Sequence, residues 1–229
     1  FLDVVRGLGD RAREAGAGVV GGDLSAGEKL VISITAFGYC PGPVVRRDGA
    51  RPGDLVAVSG TLGYSYAGLD LLEGGHVDPS ARGEAQLGDL APFVETYRAP
   101  RPPLGSGVAA AAAGARAMMD LSDGPATDAA RIAKASGVVI EFDRDAIEVE
   151  ASQLAPAARV CAVDPVRWVL QGGEEHGMIA AFPPDAELPD GFRVVATVRA
   201  CQEGEDPCAM FDAEILRGAW DHFSADSVD

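Results

Sequence analysis

The segment Met119-Asp120-Leu121-Ser122-Asp123-Gly124-Pro125 constrains this chain most, because it sets two carboxylates three residues apart where an apolar run stops and a helix begins. The run from Ala115 to Leu121 is apolar apart from Arg116 and Asp120, which suits a mostly buried strand. Pro125 fits the first turn of a helix that ends at Ser136-Gly137. The order strand, acidic turn, helix start is the place where an α/β protein tends to hold a metal-bound phosphate. Asp120 and Asp123 offer hard anionic oxygens of the kind Mg²⁺ prefers, and Ser122 adds a hydroxyl. Gly124 permits close backbone approach, and the helix N-terminus contributes free N–H groups for phosphate oxygens. Read alone, the same residues fit a plain helix cap.

A second acidic turn, Gly21-Gly22-Asp23-Leu24-Ser25, follows a helix-like stretch from Leu2 to Gly16 with Val4, Val5, Leu8 and Ala12 at helical spacing. It precedes Leu30-Val31-Ile32-Ser33-Ile34-Thr35-Ala36-Phe37, which reads as a strand. Then come Arg47-Asp48-Gly49-Ala50-Arg51-Pro52-Gly53-Asp54, an apolar strand at Leu55–Ser59, and Gly60-Thr61-Leu62-Gly63-Tyr64-Ser65-Tyr66-Ala67-Gly68-Leu69. Taken singly, each of these is a common loop or turn.

In this order the motifs resemble the thiamine-monophosphate kinase family, within a superfamily that includes aminoimidazole ribonucleotide synthetase and selenophosphate synthetase. The resemblance continues through Pro100-Arg101-Pro102 and Gly105, through Gly172-Gly173-Glu174-Glu175, and to Trp220-Asp221-His222-Phe223. It departs from the family at three places. Pro125 stands where the family has leucine, Ala219 where the terminal motif has glycine, and Glu174-Glu175-His176-Gly177 where it has Glu-Asp-Tyr-Glu. Family members also carry roughly a hundred further residues upstream, about one small domain.

The resemblance implies an α/β (α+β) fold. A partial N-terminal β/α unit (residues 1–52) is expected before a C-terminal mixed-sheet domain of the aminoimidazole ribonucleotide synthetase type (residues 53–229). It implies ATP- and Mg²⁺-dependent phosphorylation of thiamine monophosphate to thiamine diphosphate in a cytoplasmic homodimer. Residue by residue, Asp23, Asp120 and Asp123 look like Mg²⁺ ligands. Gly22, Asp23, Arg47 and Ser122 look like ATP contacts, and Glu174 with Trp220 looks like the site for thiamine monophosphate. Plainer roles stay open: Arg47 as a solvated turn arginine, Trp220 as an anchor for the C-terminus, Glu174 as a cap or ion-pair partner. Another ATP-using synthetase of the superfamily, or a non-catalytic nucleotide-binding module, is the alternative. No nucleophile is expected, and His176 and His222 are the base candidates.

Composition agrees with these expectations. The 229 residues, 47% of them hydrophobic, suffice for one large domain or two smaller ones. A formal net charge of −16 repels nucleic-acid backbones and anionic membranes. The alanine-rich stretch Val108–Ala113 is far short of the ~20 apolar residues that cross a bilayer, and no leader is visible. Cys40, Cys161, Cys201 and Cys208 form no Cys-x-x-Cys pair, so they read as reduced thiols rather than zinc ligands. Helices are predicted at Tyr64–Glu73, Gly88–Tyr97, Gly105–Gly114, Ala126–Ala135 and Pro156–Cys161. Strands are predicted at Leu55–Ser59, Arg116–Leu121, Val138–Phe142, Gly177–Phe182 and Phe192–Val198.

Overall fold

The computed structural model describes residues 1–40 and 42–216, in two compact units, Phe1–Pro43 and Val44–Asp229. In the first unit, helix α1 spans Leu2–Glu14, with its apolar stripe Val4, Val5 and Leu8 partly exposed. The strand predicted over Leu30–Phe37 does not form. Its pattern is right for a strand, but a strand is completed by a neighbour that takes its N–H and C=O groups. Among the described residues none pairs with it, and Leu30, Val31 and Phe37 stand exposed.

The second unit is built on a seven-stranded sheet, ordered β2-β4-β1-β5-β3-β6-β7. Its strands are β1 (Leu55–Ser59), β2 (Ala117–Asp120), β3 (Val138–Phe142), β4 (Met178–Phe182), β5 (Arg193–Ala200), β6 (Ala209–Phe211) and β7 (Glu214–Ile215). All neighbours are antiparallel except β3 and β6. Its helices are α2 (Tyr64–Glu73), α3 (Gly83–Leu87), α4 (Ala91–Arg98), α5 (Ser106–Ala112), α6 (Pro125–Ser136), α7 (Arg144–Gln153), α8 (Ala155–Cys161) and α9 (Pro165–Gln171).

Strand alternation divides the core between the two faces of the sheet. Val56, Val58, Ile179 and Ala181 face the larger cluster, where Ile132 and Ala133 of α6, Ile147 of α7 and Trp168 of α9 are packed. Ala57, Ala180 and Phe182 face the smaller one, with Ala110 of α5 and Phe192. Both faces of β1 are therefore covered, which explains why its sequence is apolar nearly throughout. A register shift between Val56 and Ala57 lets β1 pair with β5 despite the irregularity. Trp168 is fully buried, and its indole N–H donates to the Asp70 carboxylate across 2.7 Å, tying α9 to α2. Among the described residues no helix is long and apolar enough to cross a membrane.

This framework carries β2 up to Asp120 and starts α6 at Pro125. The residues between them, with the turns after β1 and before β4, make up the candidate site.

Candidate functional site

Three glycine-bearing turns meet backbone to backbone. They are the Gly60–Gly63 turn between β1 and α2, the Asp120–Gly124 turn between β2 and α6, and the Gly172–Gly177 turn between α9 and β4. A Cβ on Gly173 would lie 2.2 Å from the Ser122 carbonyl oxygen, and one on Gly177 2.2 Å from that of Ser59. A Cβ on Gly172 would reach the Trp168 carbonyl at 2.4 Å, and one on Gly124 the Gly172 carbonyl at 2.6 Å. No real side chain fits at those distances, so each glycine is there because backbone occupies the space: another turn's for Gly173 and Gly124, the end of β1 for Gly177 and α9 for Gly172. Two hydrogen bonds fasten the acidic turn to the third turn: Glu174 N–H donates to the Ser122 carbonyl (3.0 Å) and Leu121 N–H to that of Gly177 (2.9 Å).

The acidic side chains then divide by environment. Asp120, at the end of β2, is exposed, and His176 Nδ1 lies 3.8 Å from its Oδ2. The other ring nitrogen of His176 is 3.8 Å from Glu174 Oε2, so the imidazole stands between two carboxylates contributed by different turns. Asp123 is mostly buried and its carboxylate takes an ion pair from Arg131 of α6. Arg131 also binds Asp128 (2.7 Å), whose fully buried carboxylate accepts the Asp123 N–H at 3.1 Å. Burial pushes the Asp128 carboxyl up, against the pull of that N–H and of Arg131.

Of the residues singled out from sequence, Asp120, Ser122, Asp123 and Glu174 are brought together by the two bonded turns. Arg47 is exposed, its carbonyl accepting from the Ser136 hydroxyl (3.1 Å), and it lines with Asp120, Met118, Met119 and Ala135 a shallow groove beside β2. Gly22 and Asp23 lie exposed in irregular backbone of the first unit. Trp220 and His222 lie outside the described residues. Among the described residues no three acidic, His or Cys side chains converge as a metal centre. The donor chemistry nonetheless fits Mg²⁺: the acidic turn supplies two carboxylates and a hydroxyl, all hard oxygens, and no thiolate.

Three further residues belong to this neighbourhood without having been singled out as site residues. Arg131 and Asp128 are three apart on a helix, a spacing that brings side chains together and so was legible as a pair. Glu175 is the third. Its carboxylate is buried and accepts the N–H of Ser65 in the first turn of α2 (2.9 Å). Burial raises its pKa to about 7, with the backbone N–H groups of Ser65, Glu175 and Tyr64 pulling back and the neighbouring Glu174 charge pushing further up.

That shift makes a pH prediction. The folded protein keeps a proton that the unfolded chain releases near pH 4.5, so this group's contribution to stability falls as pH rises from about 4.5 to about 7 and stays low above. Glu175→Gln mimics the protonated form. Its unfolding free energy from urea titration is expected to match that of the unsubstituted protein at pH 4.5 and to exceed it at pH 8, by up to roughly 3 kcal/mol. Equal unfolding free energies at pH 8 would show that burial does not disfavour the carboxylate there.

The fold is that of the aminoimidazole ribonucleotide synthetase-like proteins, with an acidic turn between β2 and α6. The chain is 39% identical over 209 residues to the thiamine-monophosphate kinase of Mycobacterium tuberculosis, which covers 89% of this chain and 59% of that one. It is 40% identical over 197 residues to the Corynebacterium glutamicum enzyme, covering 85% and 57%. By sequence it is similar to the thiamine-monophosphate kinases over most of its own length. The chain spans about three-fifths of the length of these curated relatives. Among solved structures, AaThiL complexed with AMPPCP and TMP superposes with a TM-score of 0.62 at 27% identity, over 77% of this chain and 53% of that one. Thiamine monophosphate kinase from Aquifex aeolicus gives 0.58 at 27%, over 75% and 54%. No protein-family model matches the chain.

Proposed function

We propose that this chain carries the phosphate-facing turns of a thiamine-monophosphate kinase, which transfers the γ-phosphoryl group of ATP to thiamine monophosphate. The observation that carries this reading is the pairing of the Asp120–Gly124 turn with the Gly172–Gly177 turn through Glu174 N–H and the Ser122 carbonyl. It joins a nucleotide-type acidic turn to the turn that bears Glu174. AaThiL, a structural neighbour, binds an ATP analogue together with TMP, which supports the same two ligands here.

In this reading an oxygen of the substrate's phosphate attacks the γ-phosphorus in line as the bond to the ADP oxygen breaks, leaving thiamine diphosphate and ADP. A phosphate monoester is already ionised near neutral pH, so no strong base and no covalent enzyme intermediate is needed. The larger tasks are holding two anions in line and screening their repulsion. Asp120 and Asp123 are the residues of the second unit that would hold Mg²⁺, which would supply positive charge to the phosphates, and for Asp23 the metal-ligand role is the one that the resemblance implies. In the second unit Ser122 and Arg47 contact ATP, the latter adding a permanent positive charge, and for Gly22 and Asp23 the ATP role is the one that the resemblance implies. Glu174 and Trp220 take thiamine monophosphate, the carboxylate and the indole face both suiting a cationic heterocycle. The protein acts in the cytoplasm as a homodimer, without nucleic-acid or membrane partners.

The test is product formation by the natural full-length protein. Incubated with ATP, Mg²⁺ and thiamine monophosphate, it is expected to give ADP and thiamine diphosphate in equal amounts by chromatography. ATP consumption without thiamine diphosphate would instead point to another acceptor and to a synthetase of the same superfamily. Metal-dependent ATP binding without turnover would point to a nucleotide-binding module.

A further inference from the structure

Three consecutive residues of the Gly172–Gly177 turn behave differently. The side chains of Glu174 and His176 face solvent, 76% and 43% exposed, whereas Glu175 between them is buried. Glu174 and His176 also both have left-handed backbone, φ 72° and 53°, which residues with a Cβ rarely adopt and which persists only where surrounding contacts enforce it. The contacts that enforce it lie on either side. Glu174 N–H is bonded to the acidic turn, and the Glu175 carboxylate is bonded to Ser65 N–H at the start of α2.

We infer that Glu175 is a positioning residue of the proposed substrate site: by accepting the Ser65 N–H it clamps the Gly172–Gly177 turn to the first turn of α2 and so fixes where Glu174 and His176 project beside Asp120. The inference rests on the proposed function for what Glu174 does, but the clamp itself is a matter of geometry. Among the described residues no lysine or arginine pairs with Glu175, so its buried charge is answered only by backbone N–H groups and by the positive end of α2. Burial works against the ionised form, as the raised pKa records. An apolar side chain would fill the space at less cost, but it would leave the Ser65 N–H without its acceptor and the turn without its anchor. Without it the two left-handed residues would relax toward negative φ, and Glu174 would swing away from the acidic turn.

The experiment compares Glu175→Ala with Glu175→Gln, whose amide oxygen keeps the acceptor. For Glu175→Ala, KM for thiamine monophosphate is expected to rise by about 30-fold with KM for ATP within about twofold, because ground-state placement of one substrate is lost. Glu175→Gln is expected to restore KM to within about threefold. A uniform fall in kcat with both KM values unchanged, or a Gln variant as impaired as the Ala one, would overturn the inference and leave Glu175 a merely structural residue. A second readout separates this failure from failure of the proposed function. If no form of the protein turns over thiamine monophosphate, amide hydrogen exchange still reads the clamp. Exchange at residues 173–177 is expected to quicken in Glu175→Ala and not in Glu175→Gln, and unchanged exchange in the Ala variant would overturn the inference.

Discussion

Asp123→Ala is expected to lower thiamine diphosphate formation by about three orders of magnitude while leaving the fold in place, since removing a group that organises charge at a phosphoryl-transfer site costs on that order. The fold survives because the substitution spares the backbone around it. Asp123 N–H still donates to the Asp128 carboxylate, and Arg131 keeps its 2.7 Å contact with that same buried group. What is lost is a partly exposed ion pair with Arg131, worth about 1 kcal/mol. Initial rates at saturating ATP and thiamine monophosphate, beside the urea midpoint, separate the two effects. Activity within tenfold of the unsubstituted protein would remove Asp123 from the proposed cation site. In that event Asp120, the exposed carboxylate facing the groove beside Arg47, becomes the leading candidate. Asp123→Asn is the sharper comparison, because it keeps the shape and removes only the charge that both Arg131 and a cation would contend for.

The sequence patterns that proved sound were local ones. Leu55–Ser59, Tyr64–Glu73 and Val138–Phe142 form over the expected residues, each being an uninterrupted apolar or amphipathic run with a turn residue at its boundary. The helix expected over Gly88–Tyr97 divides into a 3₁₀ turn at Gly88–Leu90 and α4, which restarts at Ala91-Pro92 because proline favours the first turn of a helix. Helices α7 and α9 lie outside the predicted elements, although the sequence carries their caps. Asp143 accepts the Ala146 N–H and Asp164 the Val166 N–H, and Pro165 follows at once. Strands β6 and β7 have three and two residues, too short for a period, and exist only through their pairing. Leu30–Phe37 shows the converse: a strand-like apolar run remains a prediction when, among the described residues, no neighbour completes it.

The site was legible in its parts and illegible in its assembly. Glycine and acidic motifs stand out in the chain, but Gly173 lies about fifty residues from Ser122, and nothing local says that one turn's glycine makes room for the other's carbonyl. Glu175 reads as one more acid in a polar turn, and only the left-handed backbone at its two neighbours turns it inward. Two of the departures from the family, Glu175 and His176, thus acquire different meanings. The first is a buried anchor and the second an exposed imidazole between Asp120 and Glu174.

Adding one methyl group, in Gly173→Ala, is expected to remove both stability and activity. The new Cβ would sit 2.2 Å from the Ser122 carbonyl oxygen, 2.9 Å from its carbon and 3.0 Å from the Asp123 carbonyl carbon, all backbone atoms with no rotamer to yield. Either the Ser122 carbonyl moves and abandons the Glu174 N–H, or the Gly172–Gly177 turn retracts from α6. Each separates the acidic turn from Glu174. Overpacking of this kind costs about 3 kcal/mol, and displacement of a positioned group by an ångström costs about 100-fold in rate. Gly204→Ala supplies the contrast. Its φ of 79° is unfavourable to alanine, but its Cβ meets nothing within 4 Å, so it is expected to cost only about 1 kcal/mol and to leave the rate unchanged. Urea midpoints and initial rates of the two variants then compare backbone strain with backbone collision. A Gly173→Ala protein as stable and as active as Gly204→Ala would mean that the two turns are not packed against each other as described.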